Sequence, residues 1–196
     1  MSLVADPLLE QVHALAGAVP DPEIPVVTLS DLGILRSVTR EHEQIVVTLT
    51  PTYTGCPATE VIRDDVQRAL MQAGLHGVQV RLTLSPPWTT DWISIAGRAK
   101  LRDYGIAPPA RAAQAQHAQV LQFVSREQWR AGAVPKQGAT PPANTPANTL
   151  AKTEGPACPQ CGAVQVECVS EYGSTPCKAL YRCLKCREPF DYFKPY

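Results

Sequence analysis

Apolar positions change period several times along the first half of the chain. Leu8, Leu9, Val12, Leu15, Ala16 and Val19 recur at helical spacing. They predict an amphipathic helix opened by Asp6 as N-cap and Pro7 at the first helical position. Pro20 and Pro22 forbid its continuation. Ile34 to Thr39 and Ile45 to Thr50 are β-branched stretches of period two, joined by the polar turn Arg40 to Gln44. Such close spacing predicts an antiparallel hairpin. From Ala58 to Met71 the helical period returns. Ala58, Val61, Ile62, Val66, Ala69 and Leu70 form its expected buried stripe, and Arg63, Asp64, Asp65, Gln67 and Arg68 the wet one. Gly74 and Gly77 end it, and Val78, Val80, Leu82 and Leu84 predict a third strand. Thr89 or Thr90 can cap a helix from about Asp91 to Asp103, stopped by Gly105 and Pro108.

Beyond this point the patterning weakens. Ala107 to Arg130 is rich in Ala and Gln, with a weakly amphipathic helical spacing through Val120, Leu121, Phe123, Val124 and Trp129. Ala131 to Ala157 is Pro, Ala, Thr, Asn and Gly, too polar to offset the entropy of ordering. The expected layout is an α+β domain over residues 1–109, an Ala/Pro-rich linker over 110–155 and a small metal-bound β segment over 156–196. The first domain is expected to be a three-stranded sheet packed with helices.

Composition narrows the function classes. The 196 residues carry a formal net charge of zero, so nothing draws the chain in bulk to nucleic acid or an anionic membrane. No apolar run approaches the roughly 20 residues that span a bilayer, and no secretory pattern opens the chain. The seven cysteines are an odd number, and four fall in two C-x-x-C pairs, Cys158/Cys161 and Cys183/Cys186. With no export signal this reads as metal binding in a reducing, cytoplasmic compartment. Each pair can present two thiolates on a tight knuckle, and two knuckles make a tetrahedral four-sulfur site. A segment of about forty residues lacks an adequate core of its own, so the metal would hold it together. Structural zinc is the default occupant, and a rubredoxin-like iron is the redox alternative.

Three cysteines lie outside those pairs. Cys56 falls where the second strand meets the helix after it, a place that favours the thiolate needed for metal binding. The alternative is a packed thiol. Asp21 and Glu23, in a proline-bounded loop rich in apolar residues, have two readings. Capping of backbone N–H groups is the commoner work of such residues; in the other reading they face Cys56 and share a metal. Cys168 reads as a small buried hydrophobe. Cys177 lies in a turn between the knuckles, either exposed beside Lys178 or buried. Trp88 and Trp92 read as core for at least one of them and a partner-facing patch for the other. The aromatic tail Phe190, Tyr192, Phe193 and Tyr196 either covers the ribbon or docks on a partner. His13, His42, His76 and His117 are scattered and suggest no site.

The run Asp21-Pro22-Glu23-Ile24-Pro25 to Asp31-Leu32-Gly33, with Gly55-Cys56-Pro57-Ala58, resembles the MIP18 (DUF59) family of iron–sulfur assembly domains. Longer strings are similar to the D-subunit family of bacterial ring-1,2-phenylacetyl-CoA epoxidase systems, which carries a C-terminal zinc ribbon. These are Thr50 to Thr59, Trp88 to Trp92, and Gly173 to Cys183 with Glu188 to Lys194. The likeness covers residues 7 to 109 and 156 to 194 and departs at the long linker, at Tyr172 and at Pro176.

The resemblance implies an accessory, non-catalytic subunit in aerobic phenylacetate degradation. Its role would be to assist iron or iron–sulfur maturation of the oxygenase or reductase. The implied cofactors are structural zinc at Cys158, Cys161, Cys183 and Cys186 and a transient iron or iron–sulfur cluster. Cys56 would be the labile ligand, with Asp21 and Glu23 nearby and Cys177 as an additional thiol. One thiolate cannot hold a cluster, which takes about four ligands. The remainder would come from Cys177, from a homodimer or from a client. The expected partners are the other subunits of that system or a second copy of the chain, with no nucleic acid and no membrane. The alternative is a structural adaptor that bridges epoxidase components through its tryptophans and aromatic tail and handles no iron.

Overall fold

A computed structural model describes residues 6–109 and 155–195. Helix α1 (Pro7–Gly17) starts as its sequence dictates, with the Asp6 carboxylate accepting from the Leu8 N–H at 3.0 Å. The loop after it closes on itself. Asp21 N–H donates to the Val27 carbonyl, Val27 N–H to Ile24 and Leu29 N–H to Val19. The short helix α2 (Leu29–Leu32) follows, opened by a reciprocal capping box between Thr28 and Asp31. Its apolar residues are buried, Ile24, Val27, Leu29 and Leu32 each at 1% exposure or less.

Strands β1 (Leu35–Glu41) and β2 (Gln44–Leu49) form the expected antiparallel hairpin. The polar turn is tighter than its composition suggests, because Glu41 pairs directly with Gln44. Helix α3 (Ala58–Gln72) carries the chain over to β3 (Gln79–Leu82), which pairs in parallel with β2. The sheet order is β1-β2-β3. Central β2 thus has an antiparallel neighbour on one side and a parallel one on the other. The loop leaving its C-terminal end opens at such a junction, where ligand crevices form in sheets with parallel pairs.

Two helical expectations need correction. Val61 is 49% exposed, so the buried stripe of α3 is narrower: Ala58, Ile62, Val66 and Leu70. The segment from Asp91 to Asp103 is not one helix. A 3₁₀ turn at Thr90–Trp92 is separated from α4 (Ile95–Asp103) by Ile93 and Ser94. The break arises because Ser94 is itself an N-cap, its hydroxyl accepting from Gly97 N–H at 2.8 Å, while its own N–H donates to the Asp31 carbonyl. Leu84, placed on the third strand by its alternation, lies beyond β3 and is exposed.

The α2 loop and the α4 loop interlock at two glycines. A Cβ on Gly97 would stand 2.6 Å from the Asp31 carbonyl oxygen, and one on Gly33 would stand 2.6 Å from Trp92, at a φ of +69°. Asp31 ties the two loops together. Its carboxylate accepts from Lys100 Nζ at 2.6 Å and from the Ser94 hydroxyl at 3.3 Å.

A second, four-stranded sheet has the order β4-β7-β6-β5. Strands β5 (Val166–Ser170), β6 (Lys178–Cys183) and β7 (Pro189–Phe193) are the C-terminal ribbon. Strand β4 (Ile106–Ala107) comes from the first segment and pairs in parallel with β7. The ribbon also enters the main core, to which Phe193 (1% exposed) and Cys177 (4%) contribute. The Phe193 ring lies 6.0 Å from that of Trp88, whose indole N–H donates to the Leu32 carbonyl at 2.9 Å. The aromatic tail therefore covers the ribbon and reaches the first domain. The helix read into Ala107 to Arg130 begins instead with a strand residue, and its remainder beyond Pro109, with the linker reading up to 154, lies outside the described residues.

Candidate functional site

Two groups of cysteines stand out, with different geometry. In the ribbon the thiols of Cys158, Cys161, Cys183 and Cys186 all lie within 4.8 Å of one another. Cys158 and Cys186 are 3.7 Å apart, and Cys161 and Cys183 3.6 Å. A tetrahedral zinc with bonds of about 2.3 Å needs sulfurs about 3.8 Å apart, so the four residues fit that ion. Backbone N–H groups of Cys186 and Lys185 face the Cys183 sulfur and bring its pKa down to about 6, as suits a thiolate ligand. Zinc bound there would supply no reactive chemistry. It would close the knuckles, which Ala107 and Phe190 cover.

The second group surrounds a small cavity between the two segments. Its walls include Asp21, Glu23, Pro51, Thr52, Cys56, Cys177 and Phe193, and its volume is about 10 Å³. Cys56 reaches it from the β2–α3 loop. The helix behind it has Pro57 as N-cap and no side-chain cap, while the Cys56 carbonyl accepts from both the Thr59 N–H and hydroxyl. Cys177 reaches it from the ribbon, in the turn before β6. Its thiol donates to Glu23 Oε2 at 3.8 Å and lies 3.0 Å from the Thr175 hydroxyl.

Asp21 takes the capping reading, while Glu23 lines the cavity with Cys56 and contacts Cys177. Asp21 is 7% exposed and caps the loop, its Oδ1 accepting from the N–H groups of Glu23 and Ile24 at 2.9 and 2.8 Å. Glu23 is turned to Cys177. Burial pushes both carboxyls above their ordinary values, and for Glu23 the neighbouring Asp21 adds to it. Burial also pushes the Cys177 thiol up to about 11, with Glu23 acting in the same direction and Thr175 against it. Cys177 is therefore buried, and the reading that exposed it does not hold. Cys168 is the reverse: expected to be buried, it is exposed, on the edge strand β5.

One participant, Tyr53, lay outside the sequence reading of the site, and Lys178, read there as the cation beside Cys177, is buried. The Tyr53 phenol is buried against Cys56, and burial first, then the thiol, raises its pKa. Its signal is an aromatic residue three positions before a cysteine at a strand-to-helix joint. Lys178 is 5% exposed, 3.4 Å from Asp191, and its charge acts on Asp21, Glu23 and Cys177. Trp88 is core, and half-buried Trp92 lies beneath the Arg36 guanidinium, 3.3 Å from its ring centroid. Among the described residues no helix is long and apolar enough to cross a membrane.

Comparison with known proteins gives this architecture its class. Residues 9–82 match the family described as iron–sulfur cluster assembly protein, and residues 142–194 match the PaaD zinc beta ribbon domain. The chain thus joins an iron–sulfur assembly domain to a zinc ribbon. It is 42% identical over 194 residues to the D-subunit of the Escherichia coli "Putative 1,2-phenylacetyl-CoA epoxidase", covering 99% of this chain and 97% of that one. The chain belongs to that D-subunit family. Over 87 residues it is 37% identical to an Fe-S protein maturation auxiliary factor of Porphyromonas gingivalis, covering 43% of this chain and 82% of the relative. A solved domain of unknown function, DUF59, from Bacillus anthracis is 28% identical, covers 48% of this chain and 92% of its own, and aligns with a TM-score of 0.45.

Proposed function

We propose that this protein is an accessory, non-catalytic subunit of a phenylacetyl-CoA epoxidase system, and that it assists the maturation of an iron or iron–sulfur centre in the oxygenase or reductase. The observation that carries the reading is the Cys56 cavity. A thiol at a strand-to-helix joint shares one small space with Glu23 and Cys177, while the four-cysteine site that holds the ribbon together is separate. The names of the relatives support the same reading, one as an epoxidase subunit and one as a maturation factor. The donors at the cavity are thiols and carboxylates, suited to holding a metal in passage, and the other epoxidase subunits are its clients.

The test is anaerobic reconstitution with iron and sulfide, comparing the native chain with Cys56→Ala, followed by incubation with metal-free oxygenase or reductase. Native protein is expected to raise the client's recovered activity, and the variant to fail while keeping its ribbon zinc. A variant that retains the same iron and activates the client equally removes Cys56 from the function.

A further inference from the structure

We propose that Cys56 and Cys177 are the two thiolate ligands of one ferrous ion held within a single chain, with Glu23 as its carboxylate ligand. This rests on the reading of Cys56 as an iron-handling residue and goes beyond it. It names the cargo as a single ion, and it makes the ribbon part of the cargo site.

Three observations carry it. First, the three donors line a single cavity of one chain, with no second copy needed, and would close on an entering ion. Cys56 and Cys177 line one cavity from opposite segments, and the Cys177 thiol already reaches Glu23. Asp21 is committed at Oδ1 to the Glu23 and Ile24 N–H groups and so fixes the Glu23 backbone. Second, the space is small. A cavity of about 10 Å³ is at the lower limit for one water. The smallest biological clusters contain two irons and two sulfides and are held by about four protein ligands. A single ion that draws three donors inward needs no such room. Third, the charges balance. Fe²⁺ entering forms Fe–S bonds to the Cys56 and Cys177 sulfurs and one Fe–O bond to Glu23, and any proton a thiol carried leaves to solvent. Iron stays ferrous, and neither oxidant nor reductant takes part. The resulting unit carries one negative charge, and the buried Lys178 ammonium lies close enough to offset it.

The full-length chain, with one zinc in the ribbon, is titrated anaerobically with Co²⁺ as an optical stand-in for Fe²⁺. Zinc holds such a site more tightly than cobalt, so the ribbon keeps its zinc, and counting zinc in each sample checks this and the fold together. One cobalt per chain is expected, with sulfur-to-cobalt charge-transfer absorbance and a monomer on size exclusion. Cys177→Ser, Cys177→Ala and Cys56→Ser, each retaining one zinc, are expected to weaken cobalt binding by more than the roughly 10–100-fold typical of losing an outer-shell group. Cys168→Ser, on the exposed edge strand, should leave it unchanged. Half a cobalt per chain in a dimer, no second metal in the native protein, or cobalt binding that survives both Cys177 changes overturns the inference. If Cys56→Ser loses cobalt while the Cys177 variants keep it, the inference falls and the maturation reading stands. If cobalt binds as expected and the client is never activated, the maturation reading falls and the ion site stands.

Discussion

The Cys177 thiol meets the Glu23 carboxylate at 3.8 Å across a sequence separation of 154 residues. No local rule brings these two together. Their contact depends on how the ribbon docks, which in turn depends on Phe193 and on the two-residue strand β4.

Docking is therefore the first point to test. Phe193 is 1% exposed and packs on Trp88. Phe193→Ala is expected to cost about 3–5 kcal/mol of stability, the range for truncating a buried phenylalanine. The loss should come with a red shift of tryptophan emission as Trp88 is wetted. Unchanged emission would place the docking energy elsewhere.

Zinc removal should act at a distance for the same reason. A strong chelator is expected to unfold the ribbon, since its small four-residue core cannot hold it without the ion. With β7 lost, Cys177 should change from unreactive to reactive toward a thiol reagent. Counting modified cysteines by mass spectrometry before and after chelation checks this. Cys168, already exposed, should react in both states.

Asp21 offers a test by pH. Burial raises its pKa in the folded state, so the native metal-free chain holds a proton that the unfolded chain has lost. Its contribution to stability is greatest below the ordinary carboxyl value of 3.8 and is lost as pH rises through the raised folded value. Asp21→Asn keeps an oxygen to cap the Glu23 and Ile24 N–H groups and removes the titration. Urea melts of metal-free protein should show the variant gaining on the native chain as pH rises from about 4 through the raised folded value. A constant difference across that range would mean that Asp21 does not titrate there.

Asp31 has the opposite sign. Burial alone would raise its pKa, but Lys100 and Thr28 together hold it below the ordinary range. Its stabilisation is present above pH 3.8 and is lost as pH falls through the lowered folded value. Asp31→Ala removes a capping box and the link to Lys100 and Ser94. A loss of about 3 kcal/mol at neutral pH is expected, combining a cap with hydrogen bonds to a charged group. The loss should shrink in acid, as thermal melts at two pH values would show.

Much of the scaffold was legible from local chemistry. Asp6 and Pro7 start α1, alternation through Ile45, Val47 and Leu49 marks β2, and the two C-x-x-C pairs mark the metal knuckles. These features depend on neighbours a few residues away. What was not legible depends on distant packing. Ser94 breaks the helix after Trp92 because its N–H is bonded to Asp31, a residue on another loop. Val61 has helical spacing suited to the core, yet among the described residues it is left exposed. At the candidate site Cys56, Asp21, Glu23 and Cys177 were singled out from their residue types and setting. That Asp21 caps while Glu23 faces a thiol follows only from the folded loop, and the burial of Cys177 follows only from the ribbon's docked position.

The central claim is that the Cys56 cavity carries iron through this protein. Mössbauer spectroscopy of the zinc-replete, full-length chain loaded anaerobically with ⁵⁷Fe²⁺ and sulfide tests it most directly. The account predicts one high-spin ferrous doublet, close to one iron per chain, with thiolate character that disappears in Cys56→Ser and in Cys177→Ser. Iron absent from the native chain, or present as a coupled cluster that survives both substitutions, would contradict it.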